Sequence, residues 1–275
     1  MAKREESIRK IEERAKTLRR HIVTMLGEAR SGHPGGSLSI ADLVATLYFE
    51  IMNHDSQNPQ WEKRDRLVLS KGHAAPAVYA ALAEAGYFPV KELMGLRKVG
   101  QMLQGHPDMK NTPGIEASTG SLGQGLSMAN GMALAAQLDQ RSSRIYVILG
   151  DGELQEGQVW EAAMTSAHRK LDNLMAFVDY NGLQIDGKVT DVKSLDRIGE
   201  RFASFGWHVL EIDGHNVGAI LQADETARQT KGRPTVAVCR TIKGKGVSFM
   251  ENLGNWHGVA PNAEQVQTAL GELEI

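Results

Sequence analysis

Residues 145–149 read IYVIL and residues 150–157 read GDGELQEG. The first stretch is an unbroken apolar run, the pattern of a strand buried on both faces. The second sets a lone carboxylate, Asp151, between Gly150 and Gly152 at the exit of that run. The alternation it belongs to extends along the chain. RLVLS (66–70), NLMAFVDYN (173–181), WHVLEI (207–212) and PTVAVCRT (234–241) read as further strands. Between and around them lie helical spacings. Ile8, Ile11, Ala15, Leu18, Ile22, Met25 and Leu26 mark an amphipathic opening helix that SGHPGGSLS ends. Residues 40–52, 71–86, 126–140, 158–171, 194–206 and 217–229 follow, with Ser39 and Asp42 forming a capping box for the first of these. A last helix over 262–273 carries an Asn262 to Gln265 cap, and 101–125 reads as loop. Strands alternating with helices imply an α/β fold, a doubly wound parallel sheet with helices on both faces, spanning residues 1–275 as one domain.

Composition narrows the function classes. The chain has 275 residues, 41% hydrophobic, enough for one large core or two small ones. Its 31 Lys and Arg against 33 Asp and Glu leave a net charge of -2, which offers no general attraction to nucleic acid or to an anionic membrane. The opening MAKREESIRKIEERAK is too charged for a signal peptide, and no run of about 18 apolar residues occurs. A cytoplasmic location is expected. Cys239, the single cysteine, sits in a strand pattern and reads as a buried structural thiol.

Open parallel sheets bind ligands beyond the carboxyl ends of their strands. Asp151 lies at such an end, and so does Asn181. If their strands are neighbours about 4.8 Å apart, both side-chain oxygens can reach one ion. Few protein oxygens of this type suit Mg²⁺, with Ca²⁺ or Mn²⁺ as substitutes, the remaining positions being filled by phosphate and water. Gly150 and Gly152 would let phosphate approach the backbone. Two commoner phosphate motifs fail. Gln158 and Val159 stand where a P-loop needs Lys and Ser or Thr, and the dinucleotide spacing GxGxxG is lacking. Standing alone, GDG is equally compatible with a simple tight turn.

Four of the nine histidines occupy glycine-rich loops: His33 in SGHP, His73 in KGH, His106 in GHP and His257 in WHG. None has the spacing of a zinc site, so hydrogen-bonding or acid–base roles fit them better. His21, His54, His168 and His208 fall on helix, turn or strand patterns suited to packing, and His215 in DGHN reads as a turn residue.

GDG followed after 28 residues by Asn181 resembles the thiamine diphosphate signature. SGHPGGSLS, LSKGHAAPAVYA, GHPDMKNTPGIEASTGSLGQGLS, IDG, TIKGKG and the WHG whose histidine stands fourteen residues after Lys243 are similar to transketolase over nearly the whole chain. One position departs from the family pattern. Tyr180 precedes the metal-binding Asn181, where the family often has Asn or Asp.

The resemblance implies transfer of a two-carbon ketol unit from a ketose phosphate to an aldose phosphate, with thiamine diphosphate and Mg²⁺. It assigns Asp151, Asn181 and the backbone carbonyl of Leu183 to the ion, and Gly150, Gly152 and His73 to the diphosphate. Gly120, Ser121, Leu122 and Ile185 would border the rest of the cofactor, with Lys243 near the diphosphate. His33, His106 and His257 would face donor hydroxyls and a developing oxyanion, His73 counts among the catalytic residues as well, and His257 and Glu156 are also expected to bind the cofactor. Glu156 either neutralises a helix N-terminus or couples paired active sites across an interface. The chain covers the first of the family's three domains, so a separate carboxy-terminal partner supplying the pyrimidine-activating glutamate is expected, two of each chain. The alternatives are a 1-deoxyxylulose-5-phosphate synthase-like enzyme and a non-catalytic regulatory subunit that binds thiamine diphosphate.

Overall fold

The computed structural model describes residues 2–274. Five strands, β1 (Arg66–Leu69), β2 (Ile145–Gly150), β3 (Leu174–Tyr180), β6 (His208–Asp213) and β7 (Thr235–Arg240), form one sheet in the order β1-β2-β3-β7-β6. Every pairing is parallel. β2 and β3 are direct neighbours, with Gly150 opposite Asp179. A second, two-stranded element joins β4 (Leu183–Gln184) to β5 (Gly187–Lys188) antiparallel.

Side chains alternate across a strand, so each central strand feeds two cores. Tyr146, Ile148, Met175, Phe177, Ala237 and Cys239 face one hydrophobic cluster, built with α1 (Ala2–Ala29), α3 (Ala41–Thr46), α4 (Ala75–Glu84), α9 (Val217–Gln229) and α10 (Ala263–Glu272). Ile145, Val147, Leu149, Ala176, Val178, Val236 and Val238 face the other, under α5 (Gly125–Leu138), α6 (Gly157–His168) and α8 (Ile198–Ser204). Burial on both faces is what makes these strands read as continuous apolar runs. The predicted Asn262 cap is present. Its side chain accepts from Gln265 N, and Gln265 answers by accepting from Asn262 N.

Three local expectations differ from the structure. Ser39 and Asp42 do not cap α3, whose N-cap is Ile40 without a side-chain bond. Tertiary partners take both groups, because Ser39 Oγ donates to Asp179 at 2.7 Å while Asp42 pairs with Arg19 and His215. Pro34–Leu38 is a buried helical turn, α2, and residues 47–51 continue α3 as a wider turn. The stretch expected as helix over 194–206 is helical only from Ile198, since Arg197 is left-handed at φ +59 and cannot extend it backwards. The hairpin β4–β5 and the short helix α7 (Val189–Lys193) precede it, each too brief to leave a periodic signal.

Candidate active site

All five carboxyl ends lie along one edge of the sheet, where the chain leaves as Ser70–His73, Asp151, Asn181, Asp213–His215 and Thr241–Lys243. A cavity of about 370 Å³ opens there, and it is lined by all four loop histidines. Ring centroids of His33 lie 5.2 Å from His73, 5.6 Å from His257 and 6.3 Å from His106, and His73 lies 5.1 Å from His257. Separate loops deliver them, so only the fold brings the cluster together. Gly120 seats one member, because it adopts φ +145 and a Cβ there would stand 2.9 Å from Cδ2 of His106.

Their surroundings disfavour charge. Burial, then Arg97, His106 and Lys243, draw His33 down to about 4, and burial with Lys243 and His33 draws His257 down to about 3. Burial beside Lys71 holds His73 well below the usual imidazole range, and burial with Arg97 lowers His106. At neutral pH these are uncharged rings, able to donate or accept hydrogen bonds to hydroxyl and carbonyl oxygens.

The oxygen set expected for an ion is also assembled. Asp151 is buried, its Oδ1 accepting from Gly152 N at 2.8 Å and its Oδ2 from Gly182 N at 2.6 Å. Burial and the nearby Asp179 raise its carboxyl to about 6. Asn181 donates from Nδ2 to Asp179 Oδ2 at 2.9 Å, which fixes its amide so that Oδ1 is the free end of the pair, accepting from Leu183 N at 3.1 Å. The Leu183 carbonyl accepts from Lys243 Nζ at 3.0 Å, so a positive group already meets it. A buried carboxylate bonded only to backbone N–H groups, an oriented amide oxygen and a carbonyl make an all-oxygen set suited to a hard cation.

Several site residues lay outside the reading of the sequence. Lys71 and Asp179, both buried, form an ion pair at 2.5 Å. Asp179 also accepts from Ser39 and Thr241, and burial, which raises its carboxyl, is outweighed by Lys71 and these bonds. Glu153 accepts from Ser70 Oγ, Gly123 N and Gly150 N, tying three wall segments together. A charge inside the apolar run of β3 was the available signal for Asp179, since a buried charge needs partners. His215, read as a turn residue, donates to Asp42 and accepts from Ile242 N.

The remaining predicted positions are unequal. Gly120, Leu122, Gly150, Gly152, Glu156, Ile185 and Lys243 line the cavity, whereas Ser121 is exposed and outside its wall. Glu156 is the exposed N-cap of α6 and makes no side-chain cap bond. Ile185 stands 71% exposed on the β4–β5 tip. A larger open groove of about 850 Å³ runs between α1 and the start of α10, lined by residues such as Thr24, Met94 and Val266 and by no histidine.

Comparison with known proteins agrees with this geometry. The family model described as transketolase, thiamine diphosphate binding domain, matches residues 11–273. The chain is 48% identical over 264 residues to a 6-deoxy-6-sulfo-D-fructose transketolase subunit of Clostridium sp. (strain MSTE9), covering 96% of each chain. It is 42% identical over 255 residues to an apulose-4-phosphate transketolase subunit of Phocaeicola vulgatus, covering 93% of this chain and 90% of that one. Human transketolase is 41% identical over 255 residues, 92% of this chain but 40% of the human protein. The crystal structure of Campylobacter jejuni transketolase superposes with a TM-score of 0.90 at 33% identity, over 96% of this chain and 42% of that one. Matches of this extent in sequence and in structure place the chain in the transketolase family, as an enzyme subunit built on that family's thiamine diphosphate-binding domain.

Proposed function

We propose that this chain is the amino-terminal subunit of a transketolase dependent on thiamine diphosphate and Mg²⁺. It would transfer a two-carbon ketol unit from a ketose phosphate or similar anionic ketose to an aldose phosphate. The observation that carries this reading is the shared cavity, in which four uncharged imidazoles face the oxygen set of Asp151, Asn181 and Leu183. The same set fits the metal, because its donors are oxygens and its one carboxylate receives only backbone N–H groups.

When bound, thiamine diphosphate supplies the carbanion chemistry that breaks and forms the carbon–carbon bond. The residues of this chain bind and orient. Asp151, Asn181 and the Leu183 carbonyl would hold the ion, while Gly150, Gly152, His73 and Lys243 would meet the diphosphate. Gly120 and Leu122 would flank the ring system. His33, His106 and His257 would donate hydrogen bonds to the donor's hydroxyl oxygens and to the oxygen that gains charge, in a site partly closed to water. Neutral imidazoles suit this, since they present a donor without repelling the lysines beside them.

The chain spans about 40% of human transketolase, and its more similar relatives are named as subunits. Both facts support a carboxy-terminal partner that completes the site, in a complex with two copies of each. The relatives' names carry a sulfo group or a phosphate, which supports an anionic ketose as donor. A 1-deoxyxylulose-5-phosphate synthase-like activity is less well supported, because the relatives named here are transketolases. A non-catalytic regulatory role does not explain why all four histidines converge. The test is calorimetry of thiamine diphosphate and Mg²⁺ with the chain and its partner, alongside ketol transfer from xylulose 5-phosphate to ribose 5-phosphate. Asp151→Ala is expected to abolish Mg²⁺-dependent binding without unfolding the chain. Full turnover by the chain alone refutes the divided enzyme, and unchanged affinity in the variant refutes the metal assignment.

A further inference from the structure

Behind the cavity wall, three side chains that do not line it grip a single turn of backbone. His215 follows β6, and its Nε2 accepts from Ile242 N at 2.8 Å. Because that nitrogen accepts, the ring proton sits on Nδ1, which donates to Asp42 Oδ2 at 2.7 Å. Asp42 on α3 takes both prongs of Arg19 from α1, at 2.9 and 2.5 Å. Arg19 then donates from Nε to Lys245 O at 3.0 Å. The circuit leaves the backbone at Ile242 and returns to it at Lys245.

Between the two grips stands Lys243, 2% exposed, with Nζ 3.0 Å from Leu183 O and 2.9 Å from His257 Nδ1. We propose that Arg19, Asp42 and His215 act as a clamp that positions Lys243 for the cofactor's diphosphate, a role that rests on the function proposed above. A core ion pair needed only for stability would satisfy its own members. This one directs both of its outward bonds, one donated and one accepted, to the same four-residue turn. The forked Arg19–Asp42 contact and the neutral ring beside it make the chain of bonds directional, since each member has one orientation that satisfies its neighbours. Arg19 and Asp42 are both buried, at the floor of a small cavity that His215 and Lys245 also line. His215, Asp42 and Arg19 touch neither cofactor nor substrate in this reading, and act through Lys243.

Two substitutions separate the grips. In His215→Asn the side-chain amide can still donate to Asp42 but falls short of Ile242, whereas in His215→Gln an oxygen can take the place of Nε2 at Ile242. Hydrogen exchange at 242–245 and calorimetry of thiamine diphosphate with Mg²⁺ should be measured on the full chain together with its partner. His215→Asn is expected to raise exchange at Ile242 at least tenfold and weaken cofactor binding about tenfold, the factor expected for one lost hydrogen bond, with β2 amides unchanged. His215→Gln should stay within about threefold of wild type in both readouts. Wild-type exchange at Ile242 in His215→Asn overturns the clamp. Equal losses of affinity in the two variants, tracking global stability, also overturn it in favour of a purely structural role. Absence of cofactor binding in the wild-type complex refutes the functional reading itself, and with it the purpose assigned to the clamp.

Discussion

Asp179→Asn keeps the shape of a fully buried side chain and removes its charge. Its Oδ2 receives Lys71 Nζ at 2.5 Å, Ser39 Oγ at 2.7 Å and Asn181 Nδ2 at 2.9 Å, while Thr241 donates to Oδ1. An amide has one oxygen, so at least one of these donors then faces an NH₂ group. Lys71, 1% exposed, keeps Gly36 O at 2.9 Å as its only other hydrogen-bond partner among the described residues. Removing one member of a buried ion pair costs about 3–5 kcal/mol, and a newly unsatisfied buried donor about 1–3 kcal/mol, with overlap between the two. A loss of about 4 kcal/mol is therefore expected, a large share of the roughly 5–15 kcal/mol that holds a domain folded.

The reverse substitution is gentler. Lys71→Met leaves Asp179 with Ser39, Thr241 and Asn181 as donors, so its charge remains solvated by three groups and the expected loss is about 2 kcal/mol. The double variant should lose less than the sum of the singles, because neither leaves a charge stranded once both are gone. Urea unfolding followed by tryptophan fluorescence, to which Trp207 contributes from the core under α6 and α8, measures all three. A loss under about 1 kcal/mol in Asp179→Asn, or a greater loss in Lys71→Met, would refute the reasoning.

Two further outcomes test other parts of the site. For Asp42, burial raises the carboxyl but His215 and Arg19 bring it from 3.8 down to about 2, so the folded value is depressed. Its contribution, about 2 kcal/mol, is present above pH 4 and fades as pH falls toward 2; unfolding between pH 5 and 2 should therefore be steeper in wild type than in Asp42→Asn. His106→Ala should lower kcat about 10²-fold in the assembled enzyme with cofactor affinity intact, and an effect confined to KM would show uniform substrate binding instead.

The fold was legible where its cause is local and periodic. β2, β3 and β7 are apolar at nearly every position because helices cover both faces, and that signature needs no knowledge of partners. The adjacency of β2 and β3, a condition of the expected ion site, is met, with one strand-helix-strand unit between Asp151 and Asn181. Ser39 and Asp42 show the opposite case. Their spacing matches a local cap, but hydroxyl and carboxylate both found buried charged or polar partners elsewhere, which outweigh a cap worth about 1 kcal/mol.

The same division runs through the site. Histidines in glycine-rich loops and a carboxylate between glycines are visible because ligand-facing groups sit on short segments at strand exits, where the residue type and its neighbours are both informative. Their supporting groups are not, since each is defined by a contact across the chain: Ser39 meets Asp179 at a separation of 140 residues, Lys71 meets it at 108, and Asp42 meets His215 at 173. One principle would have exposed Asp179, because a carboxylate near the end of a strand buried on both faces cannot stand alone. It would not have named Lys71. The partner follows only from the parallel order β1-β2-β3, which brings the exit of β1 close enough to the end of β3 for a lysine to span β2. Sheet order is thus the step between a list of plausible ligands and a site with its electrostatics assembled, and it depends on which strands pair rather than on any one of their sequences.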